Sequence, residues 1–135
     1  MAGYSGTPLV KKLGIKPGVK CVIIGEPKEY FDWIVPLPEG TKFLKKIPTA
    51  EVEFVHVFVK DFKTFSKLYK DSKKVLKKDG MMWISWPKRS SGIVTDLDEN
   101  IIRDYGLRNG LVDVKVCAVD ETWSGLKFMF RVADR

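Results

Sequence analysis

Histidine is almost missing from this sequence: His56 is the only one among 135 residues. Cysteine is scarce too. Cys21 and Cys117 stand far apart, and no Cys-x-x-Cys pair or Cys/His cluster is present. A typical zinc site draws on four such ligands, so no metal centre is expected, and each thiol should pack as a small hydrophobe. Nothing resembles a Ser-His-Asp set, and no catalytic residue is assigned. Long apolar runs are also lacking. None approaches the roughly 20 residues that cross a bilayer, and "MAGYSGTPLVKKLG" has no signal-peptide core, so a cytoplasmic protein without membrane association is expected. With no internal repeat or low-complexity linker, residues 1–135 suit a single domain, with 1–17 as a short leading helix and turn.

What is plentiful is lysine. The chain holds 24 Lys+Arg against 17 Asp+Glu, for a net charge of +7. The surplus is uneven: residues 1–95 carry 18 basic and 9 acidic side chains, and residues 96–135 carry 6 and 8. Such asymmetry favours an anionic partner, and bears on association rather than fold.

Local signals divide the chain cleanly. "SGTPLVKKLG" predicts a short helix with Thr7 as N-cap, Pro8 at its first position and Gly14 as C-cap. A strand follows near 20–24, then a short helix over 28–35 and an edge strand at 41–46. "EFVHVFV" (53–59) is a strand buried on both faces. From Phe62 to Lys78 the apolar period predicts a helix with Phe62, Phe65, Leu68, Tyr69, Val75 and Leu76 on one face. Asp61 is positioned to cap its start and Asp79-Gly80 to end it. "MMWISWP" (81–87) is another buried strand. A second helix is capped by Thr95 or Asp96, turns Leu97, Ile101, Ile102 and Tyr105 inward, and leaves at Gly110. "LVDVKVCAV" and "LKFMFRV", joined by "DETWSG", form a hairpin. Strands alternating with helices predict a mostly parallel α/β sheet with right-handed crossovers, closed by an antiparallel pair.

At "VLKKDG" followed by "MMWISWP", and again at the closing hairpin, the chain resembles class I S-adenosylmethionine-dependent methyltransferases. The likeness covers most of residues 18–132 by element order, with one βα unit fewer. It implies a Rossmann-like three-layer sandwich, a truncated version of that fold. "AGYSGTPLVKKLGIKPG", "SWPKRSSG" and "GLVDVKVCAVDETWSGLKF" are similar to hallmark stretches of a small bacterial family of unknown function, which implies a single domain and no particular activity.

The stretch after the first strand, "VIIGEPKEYF", departs from the resemblance. A nucleotide-binding loop uses several glycines so that backbone N–H groups approach the ligand. Here Gly25 stands alone, and Pro27 supplies no N–H. The family's acidic residue after the second strand is replaced by Lys45 and Lys46. The leading expectation is therefore a non-catalytic or unassigned binding domain with a degenerate cofactor loop and no cofactor. Such a domain would take a small anion or a protein partner at the carboxyl ends of the parallel strands. Gly25, Glu26, Lys60, Asp61, Lys88, Arg89, Ser90 and Ser91 are the candidate residues there, because "PKRSSG" gathers two cations, two hydroxyls and a glycine. Two alternatives are carried forward. One is a divergent methyltransferase binding S-adenosylmethionine through a remodelled Gly25–Pro27 loop. The other is weak nucleic-acid binding by the lysine face of helix 62–78. His56, mid-strand, is expected to pack rather than act as a base. Trp123 is expected to cover the hairpin turn beside Asp120 and Glu121, where a binding role stays open.

Overall fold

The computed structural model describes residues 8–135. Among them a six-stranded sheet runs β2-β1-β3-β4-β6-β5. Its strands are β1 (Lys20–Ile24), β2 (Lys42–Leu44), β3 (Val52–Phe58), β4 (Leu76–Pro87), β5 (Leu111–Ala118) and β6 (Trp123–Phe130). β1 pairs in parallel with β2 and β3, and β3 with β4. β6 enters antiparallel between β4 and β5. The mixed sheet and its antiparallel C-terminal pair are as the sequence pattern predicts.

Alternation along the strands sorts the core into two layers, because successive side chains point to opposite faces. Val55, Val57, Met82, Ile84, Leu126 and Phe128 pack on one face against Phe65 and Tyr69 of α3 (Phe62–Val75) and Ile102 of α4 (Glu99–Arg108). Cys21, Ile23, Phe54, Phe58 and Trp83 pack on the other. There they meet Val10 and Leu13 of α1 (Leu9–Leu13) and Tyr30 of α2 (Tyr30–Trp33). The Trp83 indole N–H donates to the Leu13 carbonyl at 2.8 Å, pinning α1 to the sheet. On the opposite face, the Tyr69 hydroxyl reaches the carbonyls of Gly106 and Asn109 and ties α3 to the end of α4.

Several boundaries differ from the sequence reading, each for a local reason. Thr7 lies outside the described residues, and Pro8 takes the N-cap position of α1 rather than its first helical one. Gly14 closes α1 in the left-handed conformation, as predicted. Helix α3 ends at Val75, and Leu76 already pairs with Val52 as strand. The "KKDG" stretch is therefore not a helix end. It bulges within β4, where Leu76 to Met81 face only Val52 to Phe54 of β3. Helix α4 is capped by Asp98, which accepts from the Ile101 N–H at 2.8 Å. Thr95 and Asp96 are engaged elsewhere. Thr95 donates to the Lys60 carbonyl and Asp96 accepts from the Phe62 N–H, fastening the loop that precedes α3. Phe62 and Ile101, expected inward, are 39% and 38% exposed.

Candidate functional site

Chain order reverses between β1 and β3: β2 lies on the far side of β1, and the chain then returns to place β3 beside it. Ligand sites of open α/β sheets form at such a reversal, beyond the carboxyl ends of the strands. Ile24 pairs with Val57 there, so Gly25 and Glu26 leave β1 beside the segment that carries Lys60 and Asp61 out of β3. β4 is next in the sheet and is followed by a 3-10 turn, Arg89–Ser91. The eight residues expected at this rim thus follow three adjacent parallel strands.

Their roles differ. Gly25 adopts φ +74, and a β-carbon there would lie 2.6 Å from the Phe58 carbonyl oxygen. The glycine is required by the packing of β1 on β3, and the space above its α-carbon is filled by the protein itself. Glu26 is half-buried, and Lys60 is exposed. Asp61 caps α3, accepting from the Thr64 N–H at 2.8 Å, which holds its carboxyl below the usual carboxylate range. Lys88 turns to the hairpin, its ammonium donating to the Asp120 carbonyl at 2.7 Å. The Ser91 hydroxyl donates to the Lys88 carbonyl and accepts from the Ile93 N–H. Lys88 and Ser91 therefore build the rim, while Arg89 and Ser90 face solvent. Asp120 serves the hairpin turn by accepting from the Thr122 and Trp123 N–H groups. Trp123 is buried edge-on against Phe58, and Glu121 is exposed.

Beneath the rim lies a feature the sequence did not announce. The Gly25–Pro27 turn runs directly into α2, a single turn whose Tyr30 is fully buried. The Tyr30 hydroxyl sits 2.9 Å from His56 Nδ1, and His56 Nε2 sits 2.7 Å from Ser85 Oγ. Phe58 stacks on the imidazole and meets the Tyr30 ring edge-on. Burial pushes the His56 pKa down to about 3 and the Tyr30 pKa well up, so both are neutral at pH 7. His56 is fully enclosed and does not reach the rim, in line with the packing role expected of it. Burial also lifts the Cys21 thiol to about 12, which leaves it unreactive. The signal for this chain was the lone polar residue in "FVHVFV", whose partners lie 26 and 29 residues away. No local spacing reveals them.

A concavity runs along the solvent side of α3. It is a groove of about 1100 Å³ lined by Lys63, Lys67, Lys70 and Lys74, with Lys78 and Phe130 on its flank. Among the described residues no group of His, Cys, Asp and Glu could hold a metal ion, and no helix is long and apolar enough to cross a membrane.

No family model and no curated sequence matches the chain. Solved structures do. A SAM-dependent methyltransferase from Aquifex aeolicus superposes with a TM-score of 0.65 at 16% identity, over 91% of this chain and 88% of that one. Magnesium protoporphyrin IX methyltransferase from Synechocystis PCC 6803 with bound SAM gives 0.59 at 8% identity, over 91% and 74%. The DhpI–SAH complex gives 0.61 at 8% identity, over 93% and 83%. These matches stand against the expectation that no cofactor is involved, because one neighbour is a SAM-dependent methyltransferase, one is a methyltransferase with bound SAM and one is a complex with SAH. The chain has the Rossmann-like fold of class I methyltransferases.

Proposed function

We propose that this protein is a divergent S-adenosylmethionine-dependent methyltransferase that binds its cofactor at the β1–β3–β4 rim. The reversal of chain order at that rim, on a scaffold shared with SAM-dependent enzymes, carries the reading. The residues present fit the polar ends of such a cofactor. Glu26, half-buried beside the reversal, offers a carboxylate to the ribose hydroxyls, and exposed Lys60 offers a cation to the amino-acid carboxylate. They do not offer the usual glycine cradle. Gly25 is packed against Phe58, Pro27 has no N–H, and α2 is a single turn. The cofactor is therefore held by side chains where related folds use bare amides. When bound, S-adenosylmethionine supplies an electrophilic methyl group, and the chain's part is to orient it and to admit an acceptor.

Isothermal titration with S-adenosylmethionine and S-adenosylhomocysteine tests this. Saturable heat with both ligands is expected. An absence of heat at about millimolar ligand, an affinity worth only about 4 kcal/mol, rejects it.

A further inference from the structure

We propose that the solvent face of helix α3 binds a single strand of nucleic acid through the phosphates, independently of the rim. Lys63, Lys67, Lys70 and Lys74 recur every three or four residues and so share one side of the helix. From Lys63 to Lys74 they span about 16 Å, and the four ammonium groups along that length can each meet one phosphate of a single strand. Asp71 is the one carboxylate lining the groove, and it is already paired with Lys67 at 3.0 Å. The groove thus presents a strong excess of positive charge.

Its shape favours one strand over two. Lys78, Asn109 and Phe130 make a flank beside the helix, so the lysines border a trough rather than a convex ridge. Phe130 is not a platform for base stacking. It is only 6% exposed, and the Lys78 ammonium already sits 4.2 Å above its ring. With no open aromatic face lining the groove, the contacts are to the backbone and carry no sequence preference. An acidic protein fits less well, because protein interfaces centre on a desolvated apolar or aromatic anchor.

Fluorescence anisotropy with a labelled oligouridylate of about twelve nucleotides tests the proposal. Affinity should fall with salt, with a log–log slope near −3 for about four neutralised phosphates. The triple variant Lys63→Glu/Lys70→Glu/Lys74→Glu should lose at least about tenfold in affinity and lower the slope by about 2. Lys42→Glu/Lys45→Glu/Lys46→Glu, with the same change in net charge at the β2 edge, should lose far less. Circular dichroism checks that both variants fold, and amide NMR shifts on the unaltered protein should map to α3. Four outcomes overturn the proposal: no binding at about 50 mM salt, equal loss in both variants, shifts away from α3, or an oligoglutamate competing as well as RNA.

Discussion

Tyr30 and His56 share a 2.9 Å hydrogen bond in a fully buried layer, where neither can exchange its partner for water. A neutral imidazole has one nitrogen that donates and one that accepts, so it serves Tyr30 and Ser85 at once. This chain links α2, β3 and β4 directly below the rim.

Removing one member should cost stability out of proportion to the atoms lost. Tyr30→Phe keeps the ring contacts and deletes only the hydroxyl, leaving a buried imidazole nitrogen without a partner. A loss of about 1–3 kcal/mol is expected from urea unfolding. A change within a few tenths of a kcal/mol would show that the bond contributes little.

The same histidine sets an acid dependence. Its pKa is lowered to about 3 in the folded state and is near 6.5 when unfolded. Below pH 6.5 the unfolded chain takes up a proton that the folded chain refuses. Stability is therefore intact above pH 6.5 and declines by about 1.4 kcal/mol per pH unit until about pH 3. Comparing urea midpoints with His56→Gln between pH 7 and pH 4.5 isolates this effect from the carboxylates. The unaltered protein should lose ground to the variant as pH falls; a constant gap would contradict enclosure of the imidazole.

At Gly106, α4 packs closely on the sheet. A β-carbon at this position would lie 2.1 Å from Cε1 of Phe128, a fully buried ring on β6. Gly106→Ala, ordinarily favourable in a helix, should here destabilise by about 1–3 kcal/mol through overpacking. Thermal melting would detect it. Trimming the ring in the double variant Gly106→Ala/Phe128→Leu should recover part of the loss.

At the rim, binding and stability should separate. Glu26→Ala and Lys60→Ala should weaken S-adenosylmethionine by about tenfold each, worth about 1.4 kcal/mol, with little change in melting temperature. Asp61→Ala should lower the melting temperature by uncapping α3, whereas Asp61→Asn, which keeps an acceptor, should not. Unaltered affinity in both Glu26 and Lys60 variants would remove these side chains from the cofactor site.

Much of the fold was readable because its signals are local. The two-sided apolar run of β3 and the helical period of α3 are short-range patterns, as is the hairpin at DETWSG, although Trp123 to Gly125 of that stretch already pair as β6. What escaped reading depends on residues brought together from afar. Thr95 and Asp96 look like helix caps until the Lys60–Phe62 loop claims them. "KKDG" reads as a helix stop until the β3 register draws Leu76 into the sheet. The rim could be located from strand order, and Gly25 could be named. That Gly25 answers to the Phe58 carbonyl could not, since the two are 33 positions apart.

Val75 closes α3 and Leu76 opens β4 with no residue between them. The helix is thereby denied a hinge at that end. Its last turn is held in place by the Leu76–Val52 pair, before the Lys77–Gly80 bulge interrupts the β3–β4 register. Fraying of that turn must therefore break a contact of the sheet as well as a turn of helix.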